Sequence, residues 1–392
     1  MLHQNITVGF FFWKICSCWL LLKYMLHLQR KTINYNYIME NIKSQRIEYI
    51  DALRGVTIIL VVLGHVASVN GVETLSIGNF HSLFLQIRMP LFFFISGFLF
   101  YKKDLVWNGK NICNFLRKKI SVQIISPFIF LLCYIYYSGL SFKESIADEF
   151  KAGYWFTFTL FSYFVLYIIL EKALFFLRIK EHCHSGIFIA IGLFLYCFCS
   201  YAILIEWVGV GLNVVGLIRF LGLTQFKFFV FFVTGVWVKK KTLLFLNILD
   251  KSLLLPVATV IYFSVNLFVD LQAVNVLLRE CLEFLLSVSG VVVMFAMFRK
   301  NKSFFKNDNR VAKSLKFIGK RTLDIYLLHT FFLYPNFEVI YSHFAGGGYP
   351  LYELLVSLII TSIVIAACLI VSSALRCDKR MAHFLFGEKM DT

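Results

Sequence analysis

Arg54 and His65 are the residues whose types and spacing first suggest chemistry. They stand eleven positions apart in the stretch Arg54-Gly-Val-Thr-Ile-Ile-Leu-Val-Val-Leu-Gly-His65. An α-helix turns roughly 100° per residue, so three turns plus about 20° put both side chains on one face, about 16 Å apart along the axis. A charge in hydrocarbon costs at least about 2.5–3.5 kcal/mol and persists only with a reason. One groove carrying both groups can hold an anionic cofactor at its mouth and a proton acceptor deeper in, because neutral imidazole removes a hydroxyl proton near pH 7. The competing reading is structural. Asp51 and Arg54, three apart, would form an ion pair at the membrane edge and His65 a packing hydrogen bond. The residues alone leave both open.

The elements that must position these groups are set by the solvent. Of 392 residues, 59% are hydrophobic and 45 are Phe, with a mean hydropathy of +0.75. Water cannot be the main solvent of such a chain. Continuously apolar runs fall at 49–69, 82–100, 120–138, 154–170, 185–205, 221–238, 252–270, 282–298, 322–342 and 351–375. In lipid each must be a helix, since barrel strands would alternate. The expectation is an all-α, polytopic bundle of about ten spans in the lipid bilayer. The net charge of +17 does not point to nucleic acid, because the Lys and Arg residues lie in short clusters between the runs. One set of loops holds nearly all of them, including Lys102, Arg117, Lys118, Lys119, Lys239 and the run Arg299 to Arg321; the other set holds Lys143, Lys151, Arg219 and Arg279. By the positive-inside rule the first set and both termini are cytoplasmic, in the inner membrane. The ten Cys form no C-x-x-C pair and lie mostly in apolar runs, so no metal site is expected.

Residues 1–38 are read apart from the single domain at 39–392. An apolar stretch at 9–28, interrupted by Lys14 and Lys23, reads as a signal anchor or as an untranslated extension, with synthesis starting at Met39. No Walker loop, nucleophile elbow or H-E-x-x-H zinc helix occurs, so phosphoryl transfer and zinc hydrolysis lose their usual parts. A transporter or exporter of a glycan or lipid-linked intermediate is the competing class, in which His65 would line a path. Against it, no pair of Gly/Pro-broken spans recurs in two halves.

The string Tyr49-Ile-Asp-Ala-Leu-Arg-Gly, followed at the right interval by His65, resembles the signature of the membrane acyltransferase-3 family. Further segments resemble it in the same order. They are Arg88-Met-Pro-Leu-Phe-Phe-Phe-Ile-Ser-Gly, the basic run Arg117-Lys-Lys119 before Pro127, the aromatic Trp155-Phe-Thr-Phe-Thr-Leu160, and Gly319-Lys-Arg-Thr-Leu-Asp-Ile-Tyr-Leu-Leu-His329. Many relatives carry His where Arg88 stands. The resemblance implies an acyl-CoA donor, commonly acetyl-CoA, no bound cofactor, and a carbohydrate hydroxyl as acceptor, often on a lipid-linked or surface polysaccharide. It makes the Arg54–His65 pair essential for activity.

Roles for the remaining groups follow from depth. Arg88, in the outer half of its span at about the depth of His65, either stabilises an oxyanion or donor carbonyl or snorkels outward. Arg117, Lys118 and Lys119 either pair with coenzyme A phosphates or only fix topology. Trp155 stacks on a sugar or adenine ring, or belongs to the aromatic belt. His329 is a second acid–base group or satisfied packing. The expected reaction has His65 taking the acceptor proton while Arg54 and Arg88 orient the donor, directly or through an acyl-enzyme whose nucleophile cannot be picked.

Overall fold

Lipid leaves the backbone no hydrogen-bond partner except itself, and the elements obey. The computed structural model describes residues 47–69, 82–102, 107–207, 222–251, 253–306, 309–333 and 350–387, and among these there is no strand. By contacts the chain divides into Met1–Glu48 and Tyr49–Thr392. The 1–38 extension and Arg219 lie outside the described residues.

The principal helices are α1 (Glu48–Val69), α2 (Ser82–Phe100), α3 (Gly109–Ile120), α4 (Ser126–Ser138), α5 (Trp155–Phe176), α6 (Glu181–Trp207), α7 (Phe229–Lys240), α8 (Leu254–Phe268), α9 (Val276–Lys300), α10 (Arg310–Lys320), α11 (Thr322–Leu333), α12 (Pro350–Leu375) and α13 (Lys379–Phe386). A π-helical turn at Ser121–Ile125 joins α3 to α4, making one rod over Gly109–Ser138. Seven described segments are long and apolar enough to cross a membrane, against ten apolar runs in the sequence. The other three runs carry α7, α8 and α11, of 12, 15 and 12 residues. At 1.5 Å per residue these reach only about 18–22 Å, short of the roughly 30 Å hydrocarbon layer. The run 322–342 continues beyond α11 into residues outside those described.

Small residues let these helices meet backbone to backbone, as hydrophobic collapse alone cannot drive association in lipid. A Cβ on Gly97 of α2 would stand 1.9 Å from the Phe232 carbonyl oxygen of α7, and one on Gly235 of α7 would stand 2.0 Å from that of Phe94. The two helices therefore cross with no room for any other residue at either point. Around them Phe93, Tyr163, Phe229, Phe232 and Phe295 are fully buried.

Polar locks hold the helices that frame the site. Asp324 of α11, 1% exposed, accepts two hydrogen bonds from Arg376, each 2.8 Å, and one from Ser372 at the end of α12, while Arg321 lies 3.2 Å away. The bidentate geometry satisfies a carboxylate that burial would otherwise penalise. Tyr326 of α11 donates to the Gly153 carbonyl at 3.0 Å and accepts the Phe156 N–H at 3.2 Å. Tyr154 donates to the Leu327 carbonyl at 2.9 Å. These bonds hold the segment before α5, where Lys151 and Ala152 sit at φ +44° and +50°. Such strain persists only where neighbours over-determine it. Burial pushes the Lys151 ammonium below its ordinary pKa, with Asp148 and Glu149 opposing.

Candidate active site

Two polar cavities lie at different depths along α1. The first, of about 510 Å³, is lined by Arg54, Lys102, Lys119, Lys320 and Arg376, with Asp324 and Gln123. Arg54 comes from the first turns of α1, Lys119 from the end of α3, Lys320 from the end of α10 and Arg376 from just past α12. Helix C-termini favour cations, so Lys320 and Arg376 sit where the backbone itself attracts them, whereas Lys119 lies within the rod, just before its π-helical turn. Lys119 also lies over the Phe164 ring at 4.9 Å. Gln123, 6% exposed, is in the π-helical turn, and its Oε1 has no hydrogen-bond partner among the described residues. A π turn inside an α rod commonly marks a functional position.

The second cavity, of about 390 Å³, is lined by His65, Arg88, Gln86, Glu149, Trp155, Gln225, Lys227 and Glu283, among others. Its two carboxylates and two cations balance. Glu149 accepts a hydrogen bond from Thr224 at 2.8 Å. Behind His65 lies His329, 0% exposed, with ring centroids 5.1 Å apart. The Nδ1 of His329 is 2.8 Å from the Tyr326 carbonyl. A carbonyl only accepts, so Nδ1 carries the proton and Nε2 is a bare acceptor; that Nε2 is buried without a partner among the described residues. Arg88 Nη1 is in the same condition.

Aromatic rings separate the cavities. Phe92, Phe156 and Tyr326 close the basic one and Trp155 and Phe228 the other, while Phe93 touches both sides at 4.8 Å from Phe156 and 6.1 Å from Trp155.

The sequence-derived candidates therefore divide. Arg54 and His65 share a helix but open into different cavities, and Arg88 joins His65. His329 joins them from the far end of the chain. Asp51 is buried, with Oδ1 3.9 Å from Arg54 Nη1. Trp155 is buried in the cavity wall, stacked on Phe228 with ring centroids 6.2 Å apart. Of the basic trio Lys119 lines the first cavity, whereas Arg117 and Lys118 are exposed. Sequence reasoning counted Lys102 and Lys320 as topology signals and passed over Gln123, Arg376, Glu149, Lys227 and Glu283. Gln123 carried a usable signal, a polar side chain inside the apolar run 120–138.

Helices of this number and hydropathy, with a charged cavity and a histidine-bearing one divided by an aromatic wall, define a multi-pass membrane protein with buried machinery for polar chemistry. A family model described as an acyltransferase domain matches residues 47–376, and the chain belongs to this acyltransferase-3 family. It is a membrane acyltransferase. No curated protein and no solved structure matches it.

Proposed function

We propose that this protein transfers an acyl group, acetyl in the simplest case, from acyl-CoA to a hydroxyl of a lipid-linked or cell-surface carbohydrate in the cytoplasmic membrane. One observation carries the reading: a cavity with five lysine and arginine side chains lies on one side of an aromatic wall and an imidazole with a buried guanidinium on the other. The basic cavity faces the cytoplasm and takes the coenzyme A phosphates, which Lys119, Lys102, Arg54, Lys320 and Arg376 neutralise. The pantetheine arm then carries the thioester past the aromatic wall toward His65. The acceptor sugar lies in the second cavity, its apolar face on Trp155 and its hydroxyls on Glu149, Gln86 and Gln225.

In the transfer His65 takes the acceptor hydroxyl proton as the oxygen attacks the thioester carbonyl. Arg88 stabilises the oxyanion that forms. Collapse breaks the carbon–sulfur bond, and the imidazolium returns its proton to the departing thiolate. The His329 ring, its centroid 5.1 Å from that of His65, packs behind the His65 ring and fixes its orientation. Arg117 and Lys118 have no part in this scheme.

The test uses membranes expressing the protein, radiolabelled acetyl-CoA and endogenous glycolipid, with wild type and His65→Ala at matched expression. The expected result is label in glycolipid with wild type and a fall of about 10²–10⁴-fold in the variant. Undiminished label in the variant removes His65 as general base, and no label with either protein turns the reading toward the transporter.

A further inference from the structure

We propose that Gly64 is a positioning residue, the notch that seats the Arg88 guanidinium beside His65 and so builds the oxyanion site. The catalytic half of this inference rests on the acyl-transfer reading; the seat itself does not.

A Cβ placed on Gly64 would stand 1.7 Å from Arg88 Nη1, 2.7 Å from Cζ and 3.3 Å from Nε. The guanidinium thus occupies the space that any other residue would fill with its side chain. Gly64 directly precedes His65 in α1, so one turn of helix presents both the notch and the imidazole. Arg88 and His65 line the same cavity. A guanidinium pressed onto α1 is not snorkelling outward. Nη1 is buried and has no hydrogen-bond acceptor among the described residues. Leaving a buried donor unsatisfied costs about 1–3 kcal/mol, more for a charged group, so it is retained where a ligand completes it. A ligand that meets both this donor and the His65 ring must present an acceptor oxygen next to a transferable proton. The thioester carbonyl under attack by a hydroxyl has that character, and its oxygen becomes an anion as the bond forms. Glycine also costs α1 about 1 kcal/mol in helix propensity against alanine, a penalty explained by what the missing methyl admits.

The experiment is a double-mutant cycle in the full chain, with Gly64→Ala, Arg88→Ala and both together, reconstituted in nanodiscs and also assayed in membranes with radiolabelled acetyl-CoA and endogenous glycolipid. In the stability arm, Gly64→Ala is expected to lower the thermal midpoint when Arg88 is present. It is expected to leave the midpoint unchanged or raise it when Arg88 is already alanine. In the activity arm, Gly64→Ala and Arg88→Ala are each expected to reduce label transfer about 10²–10³-fold, at unchanged KM for acetyl-CoA, with the double variant no slower than Arg88→Ala. Independent effects of the two substitutions in both arms overturn the inference, as does a wild-type rate in Gly64→Ala. Coupled midpoints together with a wild type that transfers no label uphold the seat and overturn the oxyanion role along with the acyl-transfer reading.

Discussion

The Lys119 ammonium lies over Phe164 and lines the basic cavity, whereas the two residues before it are exposed. Successive helical residues point about 100° apart, so three consecutive cations at the end of α3 cannot share one task. A charge-assisted hydrogen bond contributes about 1.5–3 kcal/mol, or roughly ten- to a hundredfold in affinity. Lys119→Ala is therefore expected to raise the KM for acetyl-CoA by that factor, while Arg117→Ala and Lys118→Ala leave it unchanged. Steady-state kinetics on the three variants check it, and equal effects at all three would make the run a diffuse electrostatic patch. Arg54 and His65 were legible as a pair because they share one helix and one period. Gly64 was not legible as part of the site, because its partner Arg88 belongs to another helix and a glycine carries no chemistry of its own.

Between elements, the Asp324 lock is the most exposed to disruption. Helices α11 and α12 meet at a carboxylate held by Arg376, Arg321 and Ser372. Removing one partner of a buried pair leaves uncompensated charge, at about 3–5 kcal/mol. Asp324→Asn leaves the two arginines facing an amide, and the expected outcome is a stability loss of that order, read as a lowered thermal midpoint in detergent. An unchanged midpoint would mean that solvent already screens the arginines. Because α11 carries Tyr326 and His329, the same substitution loosens the Gly153 and Phe156 bonds that place Trp155. The helices themselves were readable where an apolar run is long and unbroken: α1 and α2 coincide with runs 49–69 and 82–100 nearly to the residue. In runs 221–238 and 252–270 the described α-helices are shorter than the run, and run 322–342 continues past the described residues. Hydropathy reports the surroundings of a residue and not its helix type, and run 221–238 opens with the 3₁₀ turn Leu223–Phe228 before α7.

For the whole molecule, the two-cavity arrangement predicts opposite access. With the native cysteines replaced, a single cysteine at Lys102 is expected to react with a membrane-impermeant maleimide only after the membrane is opened, and one at Glu149 in intact cells. Labelling of both from one side would end the proposal that donor and acceptor enter from opposite faces. The medium, the helical class and the segregation of basic residues into one set of loops were determined by the sequence alone, because transfer into lipid and backbone satisfaction act on each segment separately. Only the tertiary structure decided which polar groups meet. His65 finds His329 across 264 positions and Arg88 across 23, and Phe92, Phe93, Phe156 and Trp155 divide the groove that one helical face had suggested was continuous. A cavity is made by the packing of helices remote in the chain, and periodicity within a single helix carries no record of its neighbours.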